Sequence, residues 1–391
     1  MPADLDWLIV GGGVHGAHIA ARLLGEADVP SERLRIVDPE DQLLARWRAC
    51  AETTGMNYLR SPSVHHIDLD PWSLERFAGK RKSRGPGLFA SPYNRPALDL
   101  FNAHCDQVVE TFGLADLHIQ DRVAACAVGS EEVRVQLSSG QEIAARNLVL
   151  AVGVSDHPDW PEWAPRDHAR VRHVFEPGFD GWPATRETVV VIGGGISAGL
   201  VALRLLDERH AVHLVSRHAL RQHQFDSDPG WLGPKLMTGF RRERSFDRRR
   251  SLISTARNQG SVPRGVRRAL TRAIDRGQLL WHQDEVDQLD AQADGVVLTL
   301  MDRSKLAADR VLLATGFASA RPGGSMIDTL IDSASLPCAS CGYPIVDAAL
   351  RWHPRVFVTG PLAELELGPT SRNIAGARQA GARVVEAARA S

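Results

Sequence analysis

The sequence predicts an α/β fold in which two similar doubly wound units share one chain, and three observations carry that prediction. An apolar run, Trp7-Leu8-Ile9-Val10, leads into a glycine turn, Gly11-Gly12-Gly13-Val14-His15-Gly16. A second run, Val189-Val190-Val191-Ile192, leads into a second turn, Gly193-Gly194-Gly195-Ile196-Ser197-Ala198. Two later runs also end in glycine, at Ala151-Val152-Gly153 and Ala314-Thr315-Gly316, so the halves repeat one plan. After each turn the apolar residues take helical spacing, Ile19, Leu23 and Leu24 in one case and Leu200, Leu203 and Leu206 in the other.

The glycines answer a steric and an electrostatic need. A strand must turn sharply into a helix while its backbone comes close to a pyrophosphate, so the first position allows the turn, the second admits the phosphate, and the third must be small for helix–strand packing. Gly11, Gly13 and Gly16 fill these positions in the first turn, and Gly193, Gly195 and Ala198 fill them in the second. The helices that start at Val14-His15 and Ile196-Ser197 offer free N–H groups and a partial positive charge to the anion. The strand after each turn then differs. Leu34-Arg35-Ile36-Val37 ends in Asp38, whose carboxylate accepts from ribose hydroxyls and repels a 2'-phosphate. Val212-His213-Leu214-Val215 ends in Ser216-Arg217, donors that suit a phosphate. The first site therefore reads as FAD and the second as NADPH, in two Rossmann-like dinucleotide-binding domains.

Residues 5 to about 40 follow a strand–turn–helix–strand pattern. From Gln42 to about Leu100 the chain is irregular and rich in Pro, His and aromatic residues, the character of a segment that lines a site. A helix is predicted around Leu98 to Phe112, followed by strands Val133–Leu137 and Asn147–Leu150 around the turn Ser138-Ser139-Gly140. The Pro- and Trp-rich bridge from Ser155 to Thr188 has the composition of a linker. A basic helical insertion is expected from about 217 to 276, then strands at Leu279-Leu280-Trp281 and Val296–Leu300. The tail carries one strand, Val356-Phe357-Val358, and an Ala-rich closing helix, and it has no sheet of its own to complete. It is expected to fold back on the first unit. The FAD-binding domain is thus discontinuous, 1–160 with 321–391, and the NADPH-binding domain spans 185–320.

A chain of 391 residues is long enough for two cores. The formal charge of -1 gives no global reason to expect nucleic acid or an acidic membrane as partner. No apolar run reaches the length of a membrane span and no basic segment precedes the first strand, so no secretory signal is read. Five scattered cysteines, Cys50, Cys105, Cys126, Cys338 and Cys341, favour reduced thiols and a cytoplasmic location. The oligomeric state is left open, a homo-oligomer included.

The order of these motifs, closed by Val358-Thr359-Gly360 and Asn373-Ile374-Ala375-Gly376-Ala377, resembles the two-dinucleotide-binding-domain flavoproteins over essentially the whole chain. Within them it is most similar to the FAD- and NADPH-dependent monooxygenases, the ornithine and lysine N-hydroxylase branch included. The resemblance implies that Gly11, Gly13 and Gly16 hold the FAD pyrophosphate, Asp38 the adenosine ribose, and Gly360, Asn373 and Gly376 the flavin-facing loop and helix. It implies Gly193, Gly195 and Ala198 at the NADPH pyrophosphate, with Ser216 and Arg217 at the 2'-phosphate. Arg60 and Ser61, in Asn57-Tyr58-Leu59-Arg60-Ser61-Pro62, would lie beside the isoalloxazine, and the strand-ending Gly153 and Gly316 complete the cofactor-binding set. One departure stands out. Flavin-containing monooxygenases carry a phenylalanine, a glycine and a histidine before the second turn, where this chain has Asp167, Ala169 and His173.

Other features admit two readings each. Cys338-Ala339-Ser340-Cys341 has the spacing of a redox dithiol, yet no second pair completes a zinc site, and no metal is expected. The arginines from Arg241 to Arg250, with Arg264, Arg267, Arg268 and Arg272, either grip an anion or form solvated helix faces. His65 and His66 are adjacent, so they would point apart on a strand and not share a ligand. Trp72 and Trp231 either shape a pocket or pack in the core, and Trp160 and Trp163 are expected between the domains. The function expected is an oxidoreductase that takes hydride from NADPH onto FAD and uses O2 to hydroxylate a small amine-type substrate. The alternative is an NADPH-dependent flavin reductase that passes electrons to a disulfide or protein partner. No side chain is singled out as catalytic beyond the cofactor contacts.

Overall fold

The computed structural model describes residues 5–79, 85, 87–292 and 294–390. Its first sheet runs in the order Arg351–His353, Val356–Val358, Glu142–Leu150, Leu5–Val10, Leu34–Asp38, His118–Gln120. Neighbours are parallel except at the edge pair Arg351–His353 and Val356–Val358. Leu5–Val10 lies in the interior of this sheet and is buried at every position but Asp6. Burial on both faces explains why the sequence there is a continuous apolar run with no alternation. The helix Val14–Glu26 packs against the closing helix Ile374–Arg389 so tightly that a Cβ on Gly381 would fall 2.9 Å from His18 and from Arg22.

The second sheet has five strands, all parallel: Leu279–His282, Ala211–Val215, Thr188–Ile192, Arg310–Leu313 and Val171–His173. Each unit carries an antiparallel ribbon. In the first it is Val123–Val128, Val133–Leu137 and Glu142–Leu150, and in the second Val286–Ala291, Val296–Leu300 and Lys305–Ala308. The third ribbon strand of the first unit continues into the parallel sheet. In the second unit it breaks before Arg310–Leu313, which takes that place in the sheet.

The tail returns to the first sheet as expected, with Val356–Val358 paired in parallel to Leu148–Leu150. Three expectations are corrected. The bridge 155–188 is not only linker, because Val171–His173 forms the edge strand of the second sheet. The segment 42–100 holds helices Ala45–Thr53 and Ser73–Phe77 and the short strand pair Phe89–Ala90 and Arg95–Pro96. The supposed insertion ends earlier than 276, since helix Arg264–Asp275 is part of the crossover between parallel strands Ala211–Val215 and Leu279–His282. That crossover helix packs on Ile196–Asp207, where a Cβ on Gly199 would meet Val266 at 3.0 Å and Leu270 at 3.2 Å.

What remains of the insertion, helices Pro234–Arg242 and Phe246–Ala256, packs on the tail. Trp231, Met237, Phe240 and Ile253 share a cluster with Ala339, Tyr343 and Leu365. Beneath it lies Glu364, fully buried, facing Arg250, Arg257 at 2.8 Å and Arg372 at 2.9 Å. Arg372 also donates to the Tyr343 hydroxyl at 3.0 Å, and Arg250 lies over the Tyr343 ring at 4.2 Å. Three guanidinium groups around one carboxylate leave two positive charges in excess, and burial together with the neighbouring Arg372 and Arg250 holds the Arg257 pKa down to about 9. Removing one partner of a buried ion pair costs about 3–5 kcal/mol, because it leaves uncompensated buried charge. Glu364→Ala is therefore expected to lower the apparent Tm of thermal unfolding strongly, and an unchanged Tm would contradict the placement of this carboxylate.

Candidate active site at the two glycine turns

At the first turn Gly11 has φ +110°, and a Cβ there would fall 2.6 Å from the Ala151 carbonyl oxygen. A Cβ on Gly16 would fall 1.8 Å from the Gly11 oxygen, so the third position must be bare for the helix to begin where it does. Gly13 differs, because nothing lies within 4 Å of its missing Cβ. It faces open space at the start of helix Val14–Glu26, which has no side-chain cap and no acid in its first turn. Free helix N–H groups beside a bare backbone position form an anion cradle, and the residues fit a pyrophosphate there. Asp38 sits beside the turn, its Oδ2 accepting from Gly12 N at 2.6 Å and its Oδ1 from Glu40 N at 3.0 Å.

The tail closes this site. Nδ1 of His15 lies 2.7 Å from the Thr359 hydroxyl, and the missing Cβ of Gly360 (φ +62°) points at the His15 ring from 3.8 Å. Asn373 begins helix Ile374–Arg389, and the Thr370 and Ser371 carbonyls lie over Gly376 so closely that a Cβ would meet them at 2.4 and 2.3 Å. Among the described residues Thr370 Oγ1 is buried without a hydrogen-bond partner, which suits a polar ligand at this place.

The second turn repeats the plan. Gly193 has φ +145°, and a Cβ on it would fall 2.5 Å from the Ala314 carbonyl oxygen and 3.1 Å from the Ala198 methyl. Helix Ile196–Asp207 starts, like its counterpart, with no cap and no first-turn acid. The Cβ position of Gly195 meets only the Gly260 Cα, at 3.7 Å, an ordinary contact that leaves the residues fitting a second phosphate group. His173 lies against the strand ending, its Nε2 3.0 Å from the Thr315 hydroxyl. Gly316 has φ +88° with nothing within 4 Å of its Cβ position, and Gly153 is exposed.

Two expected contacts are placed elsewhere. Arg60 turns away from the first unit: its guanidinium donates to the His223, Gln224 and Phe225 carbonyls and the Ser261 hydroxyl, and pairs with Asp226. Five donors in a fixed fork match that row of acceptors, so Arg60 straps the second unit to the first. Ser61 beside it is half-buried. Ser216 is 2% exposed, donates to the His218 carbonyl and accepts from Trp281 Nε1 at 2.9 Å, whereas Arg217 is exposed with no ion pair among the described residues.

The remaining candidates separate. Arg249 and Arg250 turn inward to Glu366 and Glu364, where Arg257, not foreseen from sequence, joins them, while Arg241, Arg242, Arg248, Arg264, Arg267, Arg268 and Arg272 are exposed. Cys338 and Cys341 are free, Cys338 just before the tight turn Ala339–Gly342 and Cys341 within it, and burial raises the Cys338 thiol pKa. His65 and His66 lie in turns, not on a strand. Trp160 and Trp163 pack within the second unit beside Ala164 and Val171, and Trp72 is 58% exposed. Trp231 walls a cavity of about 400 Å³ with Phe225, Leu252 and Asn258. Among the described residues no helix is long and apolar enough to cross a membrane, and no group of three or more His, Cys, Asp or Glu side chains could hold a metal ion.

The family described as FAD-NAD(P)-binding matches residues 8–155 and 264–318, and that described as pyridine nucleotide-disulphide oxidoreductase matches residues 94–247. No curated protein sequence matches the chain. Among solved structures, the ornithine N-hydroxylase of Kutzneria sp. 744, with reduced FAD, NADP+ and L-orn, aligns over 100% of this chain and 99% of its own, with TM-score 0.79 and 18% identity. The L-lysine 6-monooxygenase of Pseudomonas syringae aligns over 99% of both chains at TM-score 0.74 and 19% identity. The bacillithiol disulfide reductase of Bacillus cereus aligns over the same share at TM-score 0.64 and 17% identity. At these identities the likeness establishes the two-domain flavoprotein fold.

Burial pushes the pKa of His15 down to about 4 and that of His18 to about 3, and His65, His66 and His173 likewise to about 4. A histidine held neutral in the folded chain and free to protonate when unfolded leaves stability intact above the unfolded value of 6.5. As pH falls below 6.5 it opposes folding, by about 1.4 kcal/mol per unit for each fully buried ring, until the folded pKa is reached. The apparent Tm should therefore fall between pH 6.5 and about 4, and His15→Gln should flatten that slope. A Tm independent of pH over this window would contradict the burial of these rings.

Proposed function

The chain belongs to the FAD-NAD(P)-binding family, and from that premise we propose that it is an FAD-dependent monooxygenase that uses NADPH and O2 to hydroxylate a small amine-type substrate. The observation that carries the reading is the pair of bare-backbone turns in one chain, Gly11 under the Ala151 carbonyl and Gly193 under the Ala314 carbonyl. The alignment with an ornithine N-hydroxylase over 100% of this chain supports the choice of reaction. In balance, NADPH, O2, a proton and the amine give NADP+, water and the hydroxylamine.

In this reading residues 1–160 and 321–391 form the FAD-binding unit, and 185–320 with strand Val171–His173 the NADPH-binding unit. Gly13, Val14, His15 and Gly16 hold the FAD pyrophosphate through backbone N–H groups at the turn that Gly11 makes, and Asp38 accepts from the adenosine ribose. Gly153, Gly360, Asn373 and Gly376 border the flavin, with Ser61 at the rim. Gly193, Gly195, Ile196, Ser197, Ala198 and Gly316 cradle the NADPH pyrophosphate, and Arg217 meets its 2'-phosphate. When bound, the two nucleotides supply the redox chemistry, a hydride from the nicotinamide and, through the flavin, two electrons to O2. The chain's part is to bind and orient them. Arg60, Arg46 and Arg204 hold the units together through backbone carbonyls of the opposite segment: Arg46 reaches Phe175, and Arg204 reaches Glu52 and Thr53. His15, neutral at physiological pH, adds no charge beside the flavin loop.

The reductase alternative needs an activated dithiol. A thiol raised in pKa by burial, as in Cys338, is a poor attacking group, which argues for the hydroxylase. The discriminating measurement is stoichiometric: NADPH oxidation, O2 uptake and hydroxylated product are followed together while ornithine, lysine and simple diamines are added to the FAD-loaded protein. One product per NADPH is the outcome expected of a hydroxylase. Turnover that persists without O2, requires a disulfide and vanishes in the Cys338→Ser, Cys341→Ser double variant would sink the proposal. Arg217→Ala is expected to weaken NADPH binding about tenfold and leave NADH binding nearly unchanged, read from Kd values. Equal losses for both nucleotides would remove the 2'-phosphate from Arg217.

A further inference from the structure

The cavity walled by Trp231 has a volume of about 400 Å³, enough for a small molecule, and Phe225, Trp231 and Leu252 give it apolar walls. Asn258 also lines it, and the chain on either side of Asn258 leads to both glycine turns. One residue before, Arg257 reaches the buried Glu364, which also holds Arg372, the neighbour of the helix start at Asn373. Two residues after, the Gly260 Cα lies 3.7 Å from the Cβ position of Gly195 in the second turn. Consecutive Cα atoms are about 3.8 Å apart, so Asn258 lies within about 8 Å of Gly260. The wall at 223–225 is held by the Arg60 guanidinium of the first unit. Charge on this cavity is divided. Asp228 and Leu252 are exposed and mark its mouth, and Trp231, 9% exposed, marks its depth. Asp228 is the one carboxylate among the described lining residues and has no ion pair among them; no Lys or Arg lines the cavity, and His223 is the other titratable group. The guanidinium groups lie behind Asn258, where Arg250, Arg257 and Arg372 surround the single Glu364.

We infer that this cavity takes a linear aliphatic diamine and disfavours α-amino acids, with one ammonium at Asp228 and the methylene chain along Phe225, Trp231 and Leu252; this rests on reading the chain as an amine hydroxylase. Asp228 accepts a charge-assisted hydrogen bond from an ammonium and repels a carboxylate brought to the same place. The second amine is then directed inward, past Asn258, toward the excess guanidinium charge. A positive surrounding disfavours the ammonium form, so the inner nitrogen is held as the free base, whose lone pair hydroxylation requires. One N–H of that nitrogen becomes N–OH, in the balance of NADPH, O2 and proton given above. An α-amino acid satisfies the inner guanidinium groups with its carboxylate only by leaving its side-chain amine at Asp228, at the mouth and away from both turns.

The test uses the FAD-loaded full chain and three matched probes: 1,5-diaminopentane, L-lysine, which adds a carboxylate to that skeleton, and 1-aminopentane, which removes one ammonium. Each is titrated by calorimetry, and hydroxylated product is followed in parallel with NADPH and O2. Wild-type protein should bind 1,5-diaminopentane about tenfold or more tighter than either of the others. Asp228 Oδ1 accepts from Gly230 N at 2.7 Å, and Asp228→Asn keeps that cap while removing the charge. It should bring 1,5-diaminopentane down to the affinity of 1-aminopentane, itself nearly unchanged. Trp231→Ala should weaken the diamine and the monoamine alike. Retention of FAD reports that each variant is folded, and Asp228→Ser, which also caps, serves if Asn does not fold. Lysine bound by wild-type protein as tightly as the diamine, or a diamine preference that survives in both Asp228 variants, overturns the inference alone, since hydroxylated product from any of the probes leaves the hydroxylase reading standing. NADPH turnover that yields no hydroxylated product from any of them overturns it together with that reading.

Discussion

The architecture depends on one backbone approach made twice. The carbonyl of Ala151 passes over Gly11 and that of Ala314 over Gly193, each so close that a Cβ would fall about 2.5 Å from oxygen. No side chain fits there, and the positive φ at both positions disfavours any other residue. Because the strand carrying the carbonyl is also the neighbour of the strand entering the turn, this approach aligns the ribbon, the sheet and the nucleotide helix in one step. The helix N-terminus is then aimed at the carboxyl end of the sheet, where ligands of doubly wound folds bind.

Around these repeated turns the two units diverge by packing. The first draws on the tail: Thr359, Gly360 and the 370–376 turn reach His15 and complete a site that the N-terminal segment begins. The second draws on its own crossover, whose Gly260 loop brings His218 to the middle glycine. The units are joined mainly by arginines that donate to main-chain carbonyls or surround Glu364. An arginine fork bonded to carbonyls holds geometry without needing a matching acid, which lets the interface carry excess positive charge. Within the basic tract only Arg249 and Arg250 serve the interface, joined by Arg257 outside it, while Arg241, Arg242, Arg244, Arg248, Arg264, Arg267, Arg268 and Arg272 form solvated faces.

Sequence by itself determined the two turns, the strands that feed them, the doubling of the plan and the return of the tail, because each rests on local steric rules or on continuous apolar runs. Gly11, Gly16 and Gly193 could be singled out from spacing alone, and the structure gives each a steric reason, while Gly13 faces open space. Short edge strands such as Val171–His173 were not legible, since three residues in a Pro-rich stretch carry no period. The destination of Arg60 and the inward turn of Ser216 were not legible either. Both depend on partners more than sixty residues away, the carbonyl row at 223–225 and the indole of Trp281. Tertiary structure alone decided that His218 comes against Gly194, where the loop at Gly260, distant in sequence, packs on the same ring. The glycines themselves announce only that something must come close.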